Sequence, residues 1–197
     1  MGVTHQTNLK SQKGFTLMEL LIGIAVAGIL ASIAYLGSGF LDKYRLTAAS
    51  RELLADLQWV RQNAVTRSTP DDPSDPDHAN HGFGIRFDSA SQYTLFEFND
   101  DQTGAKEFFK YEGAAEESGP RVKDLPQGAT VTKGAAANPT GEVLLYGRNG
   151  MARDRNWSTT DATFVLRLHE VSPPRCVVIS AVRIREGVWI DGACDAR

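Results

Sequence analysis

Near its start the chain has a long apolar segment, and the segment after it is apolar on one side only. None of the twenty-two residues from Leu20 to Leu41 is ionisable at neutral pH. At a rise of 1.5 Å per residue they would form about 33 Å of helix, enough to cross a hydrocarbon core of about 30 Å. The pattern therefore predicts a membrane-spanning helix.

Beyond Leu41 the apolar residues recur at spacings of three and four, which is typical of one buried face of a helix. They are Leu46, Ala49, Leu53, Leu57, Val60 and Ala64. The charged run at residues 42–45 marks the exit into the membrane interface. We expect one helix from about Phe15 to Arg67, with residues 15–41 in the membrane or filament core and residues 42–68 amphipathic. A hinge at residues 37–39, where two glycines weaken the helix, is an alternative to a continuous helix.

Residues 69–81 contain three prolines and four aspartates and cannot continue a helix. Their carboxylates, with His78 and His81, raise the alternative of a Ca²⁺ or Zn²⁺ site. The spacing matches no EF-hand loop or zinc site, so we interpret the segment as a solvated loop and predict no metal and no cofactor.

After the loop the pattern changes to a period of two, which indicates strands. Residues 82–87 and 92–98 predict a hairpin, followed by a turn at residues 99–104 and a loop at residues 111–119. Further strands are predicted at residues 129–132, 142–146, 163–169, 176–184 and 188–190. The predicted fold class is α+β, with the long N-terminal helix packed on a mostly antiparallel β head, residues 69–197, built from two sheets.

The two cysteines, Cys176 and Cys194, both lie near the C-terminus. In a domain outside the cytoplasm such a pair predicts a disulfide, and its loop of about nineteen residues would add about 3 kcal/mol of stability on the chain-entropy argument. Two unpaired buried thiols are the alternative.

Composition gives no indication of catalysis or of bulk attraction to nucleic acid. The formal net charge is −3, and it becomes −5 if Lys10 and Lys13 are removed. The four histidines do not combine with serine, cysteine or carboxylate residues in any recognisable catalytic spacing, and no glycine-rich phosphate loop is present. We therefore expect that the protein is not an enzyme.

The segment Lys13-Gly14-Phe15-Thr16-Leu17-Met18-Glu19 places a carboxylate where the apolar helix begins. An unpaired charge at mid-bilayer costs roughly 2.5–3.5 kcal/mol or more, so Glu19 needs a partner. A secretory signal peptide has an apolar core of only about 7–15 residues, and a simple anchor would leave Glu19 unexplained.

This segment resembles the processing site of type IV prepilins and type II secretion pseudopilins. The resemblance implies that residues 1–14 are a leader, that prepilin peptidase cuts after Gly14, and that it N-methylates Phe15. It also implies that Glu19 pairs with the N-terminal amine of a neighbouring subunit during assembly.

Residues 53–65, 141–150, 163–168 and 176–180 are similar to the GspH/FimT family of minor pseudopilins and minor pilins. Relatives often carry Gly-Arg-x-Arg after the last of these segments. Here Val182 takes the glycine position, while Arg183 and Arg185 match the arginines that the family implicates in DNA binding. The two arginines would share one face of a strand, with Arg175 nearby. Solvated or ion-paired arginines are the alternative that we favour.

Together these resemblances imply a minor pilin or pseudopilin of a type II secretion or type IV pilus machine. We expect a single-pass protein of the bacterial inner membrane with its C-terminal head in the periplasm, later assembled in or at the tip of a filament. The expected partners are prepilin peptidase, membrane lipid and other pilins through the N-terminal helix. A DNA-binding minor pilin for DNA uptake is the alternative.

Overall fold

The computed structural model of the protein describes residues 16–68, 82–100, 110–126, 128–135, 137–169 and 171–196, with the backbone alone described for residues 34–38. The chain divides into two compact units, Met1–Phe40 and Leu41–Arg197. Within the described residues, no helical stretch meets the length and hydropathy needed to span a bilayer.

In the described part of the chain, one long helix precedes ten strands and a single 3₁₀ turn at Ala114–Glu116. The elements are α1 Leu17–Arg67, β1 Gly82–Phe87, β2 Gln92–Phe98, β3 Glu117–Asp124, β4 Ala129–Lys133, β5 Val143–Tyr146, β6 Ala152–Arg153, β7 Ala162–Leu168, β8 Arg175–Ser180, β9 Arg183–Ile190 and β10 Ala193–Ala196.

The helix α1 has the extent that the apolar pattern predicts, ending at Arg67. Its second half is amphipathic, and each residue of the predicted apolar stripe is at most 1% exposed: Leu46, Ala49, Leu53, Leu57, Val60 and Ala64. The spacings of three and four therefore place these six side chains on one face, where they pack against the sheets.

The strands form two five-stranded sheets. The first sheet has the order β3-β2-β1-β5-β6, and the second sheet has the order β10-β9-β8-β7-β4. Every pairing between neighbouring strands is antiparallel. The predicted α+β class, with a helix packed on two antiparallel sheets as in pilins, is confirmed.

One hydrophobic core joins the helix to the inner faces of both sheets. Phe87 of the first sheet and Phe164 of the second stack with their ring centroids 4.4 Å apart. Since residues from all three layers are buried in this cluster, the helix and the two sheets depend on one another for burial.

A second, smaller cluster covers the outer face of the first sheet. It contains Phe96, Phe98, Tyr111, Val143 and Leu145, with Trp157 packed against it. Gly84 makes room for this cluster, since a Cβ there would lie 2.5 Å from the Phe96 ring and 2.8 Å from the Leu145 side chain. The first sheet is thus covered by apolar side chains on both faces.

Polar contacts attach α1 to the first sheet at one side of the core. The Tyr93 hydroxyl donates a hydrogen bond of 2.7 Å to the Asp56 carboxylate. The Lys123 ammonium lies 3.2 Å from a Glu52 oxygen and 3.5 Å from an Asp56 oxygen. Burial, reinforced by the neighbouring Asp56 carboxylate, raises the pKa of Tyr93 above its ordinary value, so the phenol stays protonated.

Several strand predictions are wrong in detail. The loop predicted for residues 111–119 includes the start of β3, which was not predicted as a strand. The single strand predicted for residues 176–184 is the hairpin of β8 and β9, because the chain turns at Ala181 and Val182. Strands β6 and β10 were also missed. The loop at residues 69–81, with its metal alternative, lies outside the described residues.

We predict that Gly150→Ala destabilises the protein more than Gly134→Ala does. Both glycines have a positive φ, +67° and +62°, but a Cβ at Gly150 would lie 2.9 Å from Val65 Cγ2, whereas Gly134 faces open space. A valine in a helix has essentially one rotamer, so its methyl group cannot turn away and the backbone of α1 or of the Gly150 turn would have to shift. We expect losses of about 1–2 kcal/mol at Gly134 and about 2–4 kcal/mol at Gly150, measured by urea unfolding in detergent with tryptophan fluorescence. Equal losses at the two positions would contradict the close contact.

Candidate functional site

The first turn of α1 is closed by a reciprocal pair of contacts between Thr16 and Glu19. The Glu19 amide donates to Thr16 Oγ1 at 3.2 Å, and the Thr16 amide donates to Glu19 Oε2 at 3.4 Å. The Thr16 hydroxyl also lies 3.4 Å from the same carboxylate oxygen. With the helix beginning at Leu17, Thr16 is the N-cap residue and Glu19 the third helical residue. This arrangement is a capping box.

The capping box gives Glu19 a partner within its own subunit. It satisfies two backbone amides that would otherwise lack an acceptor at the helix N-terminus, and it places a negative charge at the positive end of the helix dipole. The apolar pattern predicted that Glu19 needs a partner, the prepilin resemblance implied one from a neighbouring subunit, and the role of Thr16 was not predicted. The Thr-x-x-Glu spacing ahead of an apolar run was the signal that would have revealed it.

The two other residues predicted at this site, Gly14 and Phe15, lie outside the described residues, so their predicted roles stay predictions. Thr16 is the first described residue, and it follows Phe15 directly. Phe15 is therefore bonded directly to the Thr16 amide, which is the group that donates to Glu19 Oε2.

The helix that follows the capping box exposes large apolar side chains in every direction. From Leu17 to Ile33 these side chains are 51–79% exposed: Leu17, Met18, Leu20, Leu21, Ile22, Ile24, Val26, Ile29, Leu30 and Ile33. An apolar surface of this size needs a cover of lipid or of other apolar helices, since water is an unfavourable neighbour for it.

The arginines Arg183 and Arg185 lie at the start of β9, both exposed. They face Ser180 and Val178 of β8 in the pairing register, so they share the outer face of the second sheet, as predicted. Neither has an ion-pair partner among the described residues. Two neighbouring guanidinium groups with free donors are able to contact phosphate or carboxylate groups.

The expectation that Arg175 lies close to this pair is wrong. Arg175 faces Val188 in the register, on the inner face of the sheet, and its guanidinium is paired with Glu186 at 2.5 Å. The side chains of adjacent residues in a strand point to opposite faces, so the nearness of Arg175 along the sequence does not bring it to the outer face.

Val182 occupies the β8–β9 turn without backbone strain. It is 54% exposed, and it is not one of the non-glycine residues that adopt a positive φ. A turn that does not need a positive φ has no need of glycine. The valine at this position therefore leaves the hairpin that presents Arg183 and Arg185 intact.

Cys176 and Cys194 form the predicted disulfide, with their Cα atoms 6.0 Å apart. Cys176 lies on β8 and is fully buried, whereas Cys194 lies on the edge strand β10 and is half-buried. The bond thus attaches the C-terminal strand to the body of the second sheet.

Residues with catalytic or metal-binding side chains do not converge in the described part of the chain. No group of three or more His, Cys, Asp or Glu residues there is placed to hold a metal ion. His169 stands in the turn after β7 with a φ of +45°. Its ring lies over Gly128, where a Cβ would be 2.7 Å from Nε2.

Comparison with known proteins gives one finding for this chain. Residues 9–35 match the family described as the prokaryotic N-terminal methylation motif. No curated protein and no solved structure matches the chain. The matched region includes Gly14, Phe15, the capping box and the first turns of α1 that follow it. The chain therefore carries a type IV prepilin-like N-terminal methylation motif, which implies processing by prepilin peptidase and membrane-anchored pilus assembly.

Proposed function

We propose that the protein is a minor pseudopilin or minor pilin of a type II secretion or type IV pilus machine. The observation that carries this proposal is the methylation motif at residues 9–35, with Glu19 at the start of an exposed apolar helix. Prepilin peptidase removes residues 1–14 and methylates Phe15. The subunit is held in the inner membrane by residues 15–41 with its head in the periplasm, and it then enters a filament.

In this proposal Glu19 exchanges one partner for another on assembly. In the free subunit its carboxylate accepts from the Thr16 amide. In the filament it faces the ammonium group of a neighbouring Phe15. A charged donor gives a stronger hydrogen bond than a neutral amide, and each charge neutralises the other in an apolar surrounding. The exchange therefore favours one position of each neighbouring helix along the filament, the position that brings its Phe15 ammonium to Glu19.

The proposed work of the protein is mechanical, without a catalytic step. The apolar half of α1 packs with other pilin helices, and the head presents a surface to partners. The resemblance of residues 141–150, 163–168 and 176–180 to the GspH/FimT family supports a minor rather than a major subunit, because that family consists of minor pseudopilins and minor pilins. The three segments fall on or next to β5, β7 and β8.

A second candidate function is DNA binding during uptake. The observation that favours it is the pair Arg183 and Arg185, exposed on one face of β9. Such a pair would contact phosphates weakly and without sequence preference. The negative formal charge of the chain opposes this binding, so we place it behind the filament role.

The first test concerns processing. We expect Gly14→Val to leave an uncleaved precursor in the membrane when the cognate peptidase is present, because the peptidase requires the small residue at the cut. Gly28→Val serves as the control, since a Cβ at that helical position meets nothing within 4 Å. Intact-mass analysis should show the control starting at N-methylated Phe15. A wild-type protein that starts at any other residue would overturn the proposal.

The second test concerns Glu19 and separates its charge from its capping role. We expect Glu19→Ala to enter the membrane slightly better than the wild type, yet to fail to cross-link with the other pilins. Glu19→Gln keeps an acceptor for the Thr16 amide but has no charge, so it should fail in the same way. If Glu19→Gln co-assembles as well as the wild type, capping rather than charge is the essential role of Glu19.

The third test separates the two candidate functions. We expect the fragment Leu41–Arg197, a compact unit with its own core, to give no gel shift with duplex DNA at physiological ionic strength. The matched variants are Arg183→Ala with Arg185→Ala, and Arg148→Ala with Arg155→Ala, because all four arginines are exposed and each pair removes two charges. A clear shift that weakens steeply with salt and disappears in the first variant alone would favour DNA uptake.

A further inference from the structure

The C-terminal strand β10 adds nothing to the hydrophobic clusters of the head. Its four residues, Ala193–Ala196, alternate between exposed and half-buried, and none belongs to either cluster. Its ladder partner is β9. β10 is the edge strand of a five-stranded sheet, so it has a strand neighbour on one side only. Because it buries no apolar side chain, its pairing with β9 gains little from the hydrophobic effect, and the disulfide contributes a large part of its attachment.

The disulfide makes this attachment by reaching over β9. Cys176 lies on β8 and Cys194 on β10, with β9 between them. Strands two places apart in a flat sheet are separated by about 9–10 Å, twice the spacing of neighbouring strands. The Cα atoms of the two cysteines are 6.0 Å apart, so β10 curls back over β9 towards β8.

Gly187 is the residue that permits this curl. It lies on β9 directly opposite Cys176 in the register. A Cβ at Gly187 would lie 2.4 Å from the Asp195 carbonyl oxygen and 2.8 Å from Ala196 Cα. Both of these atoms belong to the backbone of β10, which could not lie so close to any other residue type.

We propose that the Cys176–Cys194 disulfide is a redox latch that holds β10 on the head, and that reduction releases β10 while the rest of the head stays folded. The core supports this separation, since the helix, the first sheet and strands β4, β7 and β8 bury their apolar residues without β10. On release of β10, reduced Cys176 would lie on the outer face of the second sheet with Val178 and Ser180, since residues two apart in a strand share a face.

The burial of the two cysteines determines the course of the reduction. A thiolate of a dithiol reductant attacks Sγ of half-buried Cys194, because Cys176 is fully buried. The disulfide breaks, and Cys176 leaves as a thiolate that takes up a proton. The second thiol of the reductant then displaces Cys194 from the mixed disulfide. The protein gains two electrons and two protons, and the reductant becomes a disulfide.

Release of β10 would leave β9 as the edge strand of the second sheet. The other edge strands of the described sheets are protected against pairing with a further strand. The edge strand β3 contains Pro120, which lacks an amide donor. The edge strand β4 pairs back with Ala137 after a tight turn, and the edge strand β6 pairs back with Thr159. Without β10, the backbone of β9 from Gly187 to Ile190 would be free to pair with an extended strand.

Hydrogen exchange on the full-length protein in detergent micelles tests the latch, with dithiothreitol as the reductant. We expect exchange at β10, and at the β9 amides that pair with it, to accelerate on the order of 100-fold after reduction, as the loss of the loop constraint predicts. Exchange at β7, β1 and the second half of α1 should not change. The control is Cys176→Ala with Cys194→Ala, which should exchange rapidly at β10 with or without dithiothreitol.

Two results would overturn the latch. If β10 stays protected after reduction, backbone pairing holds it without the bond. If exchange accelerates throughout the head, the disulfide stabilises the whole fold. The site of attack is tested with glutathione, a monothiol that leaves its mixed disulfide on the cysteine it attacks. Peptide mapping should find glutathione on Cys194 and a free thiol at Cys176, and the reverse assignment would contradict the proposed course.

Discussion

Burial of one face of α1 between two sheets is the interaction on which the rest of the head depends. The six stripe residues from Leu46 to Ala64 are sealed from water, and neither sheet could bury its inner face without them. At about 25 cal/mol per Å² of apolar surface, this shared burial is the largest favourable contribution that the head can obtain. The polar contacts of Tyr93 and Lys123 with α1 lie beside this core and fix the position of the helix along the first sheet.

The N-terminal half of α1 requires different surroundings. From Leu17 to Ile33 its apolar side chains are exposed all round, so no single face can pack against a sheet. Such a surface is stable only in lipid or among other apolar helices. A membrane and a filament provide these surroundings, and the methylation motif implies both. Glu19 is the one charged residue in this stretch. In the free subunit its carboxylate accepts a hydrogen bond from the Thr16 amide. Because Glu19 is exposed, the same carboxylate is accessible to a neighbouring subunit.

The placement of β10 and of the β8–β9 turn depends on backbone geometry rather than on burial. Strand β10 lies over Gly187 because that residue has no side chain, and the disulfide keeps it there. The β8–β9 turn presents Arg183 and Arg185 with an ordinary residue, Val182, at its tip. Both features lie on the part of the second sheet formed by β8, β9 and β10.

The sequence by itself determined the elements that depend on periodic burial and on local chemistry. The long helix, its apolar stripe, the β1–β2 hairpin, the two-sheet architecture and the pairing of the two cysteines were all predicted. The Thr16-x-x-Glu19 spacing also specifies the capping box, which was not predicted. These features depend on residues close in sequence or on a repeating period, so a single chain carries enough information to specify them.

The features at the edges and turns of the two sheets were determined by the tertiary structure alone. Strand β3 was missed because it is almost wholly exposed, so it has no alternating pattern, and it contains Gly119 and Pro120. The β8–β9 turn was missed because Val182 continues the β-branched character of the strands around it and Ala181 is not a typical turn residue. The face on which Arg175 lies, and the position of β10 over Gly187, follow from strand register. Register is set by pairing partners that are distant along the chain, and no local pattern specifies it.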